Sequence, residues 1–254
     1  MSSQKNFCTY TLYITLFPQL IAGPIVRYKD INKELEKRKE NSKTFSEGIA
    51  RLIIGLGKKV ILADGMYYFS TQLLQEDMSF LSYWFVALSF LFQIYYDFSG
   101  YSDMAIGLGK MFGFHFKENF DYPLIATSIT DFWKRWHISL TSFLKDYVYI
   151  PLGGNRTTRA KNIRNLSIVW FLTGFWHGAS WNFILWGMYF FCLLIIEKFL
   201  LKKYLKKGLF SRIYTLFFIC ISFVLFHFTD INELAVFLKG MFTITFKNNG
   251  MAFY

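Results

Sequence analysis

The 254-residue chain carries a formal net charge of +11, is 54% hydrophobic and has a positive mean hydropathy of +0.28. That composition excludes an ordinary soluble domain. It also turns the charge away from nucleic acid, because Lys and Arg gather at 33–43, 156–164 and 198–212, between apolar runs, as in the cytoplasmic loops of membrane proteins. Anionic lipid headgroups of the bilayer are the partner such clusters imply.

Stretches free of Asp, Glu, Lys and Arg cover 6–26, 78–96, 165–196 and 213–229. A crossing helix needs about 20 mostly apolar residues, so the first, second and fourth stretches each fit one span. Pro18 and Pro24 interrupt the first, which reads as a retained, kinked or re-entrant segment rather than a cleaved signal peptide. Residues 29–43 form a charged surface segment. Residues 52–74 are a weaker span, interrupted by Lys58, Lys59 and Asp64. The run 78–96 leads into Tyr96-Asp97-Phe98-Ser99-Gly100-Tyr101-Ser102-Asp103. Asp97 and Asp103 lie six positions apart and would not share a helical face, which makes them a poor acid/base pair. Each either lines a polar path or marks a break at the membrane surface. Gly-Leu-Gly-Lys occurs at 55–58 and 107–110 without the spacing of a phosphate loop, and packing of helices through small residues is the better reading.

Residues 131–147 predict one helix. Trp133, Trp136, His137, Leu140 and Leu144 recur on one face, with Lys134, Ile138, Thr141 and Lys145 largely opposite. Ser128 or Thr130 is placed to cap its start. Aromatic residues with Lys and Arg at this spacing describe an interfacial helix. Pro151 and the Gly153-Gly154-Asn155 turn end it.

As a single helix, 165–196 would be about 48 Å long, too long for one ordinary crossing. Two segments broken near 174–180 are the simpler arrangement. The break contains Phe175-Trp176-His177-Gly178-Ala179-Ser180-Trp181-Asn182. An ionisable group within a membrane segment points to a functional site. Histidine, with an ordinary pKa of about 6.5, suits proton transfer near neutral pH. The alternative is a buried histidine satisfied by a neighbouring hydroxyl or carbonyl. Cys8, Cys192 and Cys220 fall at unrelated spacings, and no metal motif or nucleophile elbow is present in the sequence. These features describe an all-α, polytopic membrane protein forming a single domain over 1–254.

Four segments carry a family resemblance: Phe17-Pro18-Gln19-Leu20-Ile21-Ala22-Gly23-Pro24-Ile25-Val26, the stretch 96–107 (YDFSGYSDMAIG), the stretch 131–156 (DFWKRWHISLTSFLKDYVYIPLGGNR) and FWHGASWN at 175–182. In this order they resemble the membrane-bound O-acyltransferases, and most closely the bacterial polysaccharide O-acetyltransferases of the alginate acetylation type. The resemblance implies a helical core with broken or re-entrant helices, a tunnel through the bilayer, and acyl transfer to a hydroxyl. The family's Trp-His-Gly histidine falls on His177 as general base, and its second polar position falls on His137. Trp176, Gly178, Trp181, Asn182, Asp97, Trp133 and Trp136 are candidates for lining the substrate tunnel. Arg135, Lys145 and Arg156 are candidates for the donor's phosphates, or equally for anchoring at the membrane surface.

The implied donor is cytosolic acetyl-CoA, with no permanently bound cofactor and no metal. The implied acceptor is an exported polysaccharide, reached through an extracytoplasmic acetyltransferase partner from a multi-pass protein of the inner membrane. Relatives that move D-alanine for teichoic acids share the architecture, although the Pro151-Leu152-Gly153-Gly154-Asn155-Arg156 ending sits nearer the acetylation branch. Family members run to about double this length, so a fragment, half of a split gene or a shortened relative is expected. The competing readings are a membrane transport or scaffold protein whose polar breaks line a conduction path, and an inactive fragment.

Overall fold

A computed structural model describes residues 6–20, 23–205 and 208–244, and every regular element among them is helical. Helix α1 (Phe7–Thr15) starts at Asn6, whose Oδ1 accepts the amides of Cys8 and Thr9 at 2.9 and 3.2 Å. It rises only about 14 Å, so the run 6–26 does not make the single crossing that its length suggests. Pro18 lies in a 3₁₀ turn at Phe17–Gln19, and α2 follows at Tyr28–Glu36. Ile21 and Ala22 of the first motif lie outside the described residues.

Helix α3 (Ser42–Gly57) continues through a π-helical turn, Lys58–Ala63, into α4 (Asp64–Gln75). The central helix is α5 (Phe80–Met111), begun by a reciprocal cap between Ser79 and Ser82. It does not stop near Tyr96 but carries Asp97 and Asp103 inside the helix. The polar residues do not break it because α3 and its π turn bring cations opposite: Lys59 pairs with Asp97, and Arg51 and Lys58 hold Asp103 at 2.8 and 2.6 Å.

The two Gly-Leu-Gly-Lys segments pack helices, as the small residues predict. A Cβ on Gly107 would lie 2.7 Å from the carbonyl oxygen of Gly48, and one on Gly100 would lie 2.7 Å from that of Gly55. Antiparallel α3 and α5 therefore meet backbone to backbone at two points, each seven residues from the next along its own helix.

The expected helix over 131–147 is broken in two, α6 (Ile129–Arg135) and α7 (Ile138–Leu144), followed by a π turn at Lys145–Tyr149. The break falls on His137, whose φ of +44° is left-handed and disfavoured for a residue with a Cβ. Trp133, Trp136, His137, Leu140 and Leu144 are all buried nonetheless. Both halves bury their apolar residues, so the apolar periodicity survives a kink that it cannot reveal. Ser128 Oγ caps α6 by accepting the Asp131 amide at 2.9 Å.

Helices α8 (Arg159–His177) and α9 (Trp181–Ile196) form a hairpin broken where the sequence requires it. Gly178 ends α8 at φ +154°, and a Cβ there would reach 2.8 Å from the Phe183 ring. Helix α9 runs on through a π turn at Glu197–Leu201. Helices α10 (Leu209–His227) and α11 (Ile231–Phe242) return along α5. The segments Trp181–Leu201 and Leu209–His227 are long and apolar enough to cross a membrane. Between these helices lies an aromatic core of Trp133, Trp136, Trp170, Trp186, Phe190 and Phe223. Its rings meet mostly edge to face, Trp133 and Trp170 at 4.7 Å, contacts worth about 0.5–1.5 kcal/mol each beyond burial.

Candidate active site

The kink at His137 and the break after His177 open on one cavity of about 680 Å³, within the size range of small-molecule sites. The segment before α2 supplies Gly23, Ile25 and Val26 to its wall, and α5 supplies Gln93, Asp97 and Tyr101. Two histidines from separate segments thus face the same space.

His137 is fixed by a buried amide that the sequence did not single out. Asn119, fully buried, accepts three hydrogen bonds at Oδ1: from the Ser139 amide at 3.1 Å, from Ser139 Oγ at 2.8 Å and from His137 Nδ1 at 3.2 Å. A backbone N–H only donates, so the Asn119 atom facing Ser139 is the oxygen. His137 Nδ1 therefore carries the proton, and in the neutral ring Nε2 keeps the lone pair. Asn119 O also accepts the Ile138 amide at 3.0 Å, which holds the left-handed turn. Ser139 Oγ in turn accepts the Ile25 amide at 3.0 Å and ties the cavity wall to the histidine loop. Phe98 meets the ring edge-on at 4.7 Å.

His177 sits differently. Trp186 and Phe226 stand perpendicular to its ring at 5.0 and 5.1 Å, and no hydrogen bond holds it among the described residues. Asn182 is buried but does not line the cavity; its Nδ2 donates to the Phe226 carbonyl at 3.2 Å and so steadies the ring beside His177.

Of the other expected tunnel residues, Trp176 and Asp97 line the cavity. Trp133 and Trp136 lie in the aromatic core behind it, and Trp181 points outward at 72% exposure. Gly178 shapes the break. The three expected phosphate contacts are not gathered: Arg135 pairs with Asp131 and Asp121, while Lys145 and Arg156 are exposed. Gln93 also escaped the sequence reading. It is the one amide in the run 78–96, and its Oε1 is buried in the cavity wall without a partner among the described residues.

Outside the spans, Arg27 is buried behind the wall and donates to Asp146 at 2.5 Å, beneath the rings of Phe143 and Tyr147. This guanidinium holds the Asp146 carboxyl below the usual carboxylate range.

Chemically, the cavity offers a neutral imidazole lone pair, a second imidazole among aromatic rings and a free amide oxygen. That set can accept a hydroxyl proton in a site walled by apolar groups.

The chain is 45% identical over 195 residues to the probable alginate O-acetylase of Azotobacter vinelandii, covering 76% of this chain and 39% of that protein. It is 44% identical over 191 residues to the peptidoglycan O-acetyltransferase of Helicobacter pylori, covering 73% and 36%. A more distant relative, the teichoic acid D-alanyltransferase of Bacillus subtilis, is 29% identical over 236 residues, covering 84% and 60%. The chain therefore spans about two-fifths of the length of the first two relatives. The pattern of the membrane-bound O-acyltransferase family matches residues 2–238, nearly the whole sequence, and the chain belongs to that family.

Proposed function

We propose that this protein takes part in O-acylation, moving an acetyl group from a thioester donor toward hydroxyls of an exported polysaccharide, with His177 as general base. The observation that carries the reading is the shared cavity: His137 and His177 reach it from separate segments, beside an amide oxygen on Gln93 that has no partner among the described residues. Acetyl is favoured over D-alanyl because identity is 45% to the alginate relative and 29% to the teichoic acid relative.

In this reading the acceptor hydroxyl donates to Gln93 Oε1 or to an imidazole lone pair as it enters. His177 takes the hydroxyl proton while the oxygen attacks the thioester carbonyl. The tetrahedral intermediate collapses, the C–S bond breaks, and the imidazolium returns the proton to the departing thiolate. Ester and thiol leave, and the histidine is neutral again. His137, with Nδ1–H engaged by Asn119, presents Nε2 as a second acceptor that orients the hydroxyl or the acyl group. The aromatic walls keep water from hydrolysing the thioester.

The donor is cytosolic acetyl-CoA, the location is the inner membrane with several crossings, and an extracytoplasmic acetyltransferase completes delivery to the polymer.

The test is replacement of His177 by Ala in the native gene, with polymer O-acetylation measured in cells and thioester cleavage measured in isolated membranes. We expect both to fall by about 10²–10⁴-fold, the usual contribution of a positioned base. Undiminished acetylation in the variant would remove His177 from the chemistry. Loss of acetylation in cells with normal thioester cleavage would favour a transport role.

A further inference from the structure

A second cavity, of about 780 Å³, lies apart from the histidines, between the start of α8, the π turn that ends α9 and the loop leading into α6. Its lining contains three cations, Arg159, Lys198 and Lys202, the amides Asn155 and Asn162, and an apolar wall at Leu194. None of the histidine-cavity residues contributes to it, and neither do Arg135, Lys145 or Arg156.

The charges in this cavity are unbalanced. The one carboxylate in the lining, Glu197, is buried and engaged by the start of α6, where it accepts the amides of Ile129 at 2.6 Å and Thr130 at 2.9 Å and the Thr130 hydroxyl at 2.8 Å. None of the three cations has a carboxylate partner among the described residues, and the remaining residues of the chain contain no Asp or Glu. Lys198 Nζ instead donates to two neutral amides, Asn155 Oδ1 at 2.8 Å and Asn162 Oδ1 at 2.6 Å, which leaves one of its three N–H groups free. The Arg159 guanidinium lies 4.3 Å from the centre of the Phe199 ring, so its edge donors stay available.

A loose basic loop would not need these supports. Here the ammonium is held by two amides, one of them buried, and the guanidinium is seated on a ring. All three cations are exposed, two of them held in place; gathered around one cavity they repel each other, and a multivalent oxyanion relieves that repulsion while using the free donors. The apolar wall is continuous with α9, so the anion can belong to a molecule with an apolar part.

We propose that this cavity is a specific binding site for a phosphate ester, carried either by an anionic phospholipid headgroup or by a soluble molecule. It is independent of the acyl-transfer reading.

The test uses the full chain in nanodiscs of phosphatidylcholine. One arm titrates inorganic pyrophosphate, and the other exchanges phosphatidylglycerol into the disc, with thermal stability and direct binding as readouts. Arg159→Gln with Lys202→Gln is compared with a charge-matched control, Lys161→Gln with Lys203→Gln, both exposed and outside the lining. We expect saturable binding of at least one probe, weakened at least tenfold in the cavity variant and unchanged in the control. Binding of pyrophosphate alone assigns a soluble phosphate ester; binding of phosphatidylglycerol alone assigns a lipid headgroup; both assign the phosphate itself. No saturable binding, or equal weakening in both double variants, would overturn the proposal, with melting of the unliganded discs confirming that each variant is folded.

Discussion

The two histidines of the cavity are held by opposite kinds of chemistry. His137 occupies a left-handed kink fixed by a buried amide, a serine and two backbone N–H groups, and its proton has one defined position. His177 ends a helix among Trp186, Phe226 and Phe183, with rings on its faces and no hydrogen bond directing it among the described residues. Hydrogen bonds specify orientation and tautomer, whereas aromatic walls specify position and exclude water while leaving the ring nitrogens free. The first seat suits a group that must present one lone pair at a fixed place. The second suits a group that gains and returns a proton during turnover.

The strongest way to break this comparison, after His177→Ala, is to remove the amide behind His137. Asn119→Leu keeps the approximate volume but takes away the acceptor for His137 Nδ1, the Ser139 amide and Ser139 Oγ. We expect kcat to fall about 10- to 100-fold, on the order of 1.4–2.7 kcal/mol of transition-state stabilisation. Asn119→Asp, which keeps the acceptor oxygen, should recover part of that loss. Steady-state kinetics on membranes with matched protein levels would decide it. Wild-type turnover in Asn119→Leu would mean that the tautomer of His137 is irrelevant to the reaction.

Much of this arrangement was legible in the sequence, and most of what was not depends on partners distant in the chain. Apolar periodicity and charge-free runs reported the helical class, the break at His177 and the buried face of Trp133, Trp136 and His137, because those follow from local pattern. The small residues at 55–58 and 107–110 reported helix packing, though not which helices meet. Three features depended on partners distant in the chain. The α5 helix runs through Asp97 and Asp103 because Lys59, Arg51 and Lys58 meet them from another helix. The helix over 131–147 breaks because Asn119 offers its backbone oxygen and its amide to the kink. The basic cavity forms because the sequence-distant turns at 155–157 and 197–201 converge. Gln93 was findable, since a single amide in an otherwise apolar run is costly unless it has work to do.

The aromatic seat gives a smaller effect. Phe226→Leu removes one perpendicular ring from His177 and, with Asn182 still bonded to the backbone carbonyl, leaves the helix end in place. An edge contact of about 0.5–1.5 kcal/mol predicts a loss of roughly 2- to 12-fold in kcat/KM. Hydrolysis of the thioester without acceptor should rise at the same time, because the wall is thinner. A fall in transfer with no rise in hydrolysis would show that the ring positions His177 but does not exclude water.

The smallest effect lies behind the cavity wall, where Arg27 and Asp146 join the chain leading from Ile25 to the turn after α7. The partner guanidinium lowers the Asp146 pKa in the folded protein, so the pair adds stability above the ordinary carboxylate pKa of about 3.9 and loses it as pH falls through the lower folded value. Asp146 is 38% exposed, and solvent screening keeps the contribution near the low end of surface ion pairs. Asp146→Asn should therefore lower Tm by about 1–3 °C at pH 7. The gap should close as pH falls through the lowered folded pKa of Asp146, where the wild-type carboxylate is itself protonated. Differential scanning fluorimetry in detergent across that range would measure both ends. A gap that persists undiminished in acid would mean the wall is held by the rings of Phe143 and Tyr147 over Arg27 rather than by charge.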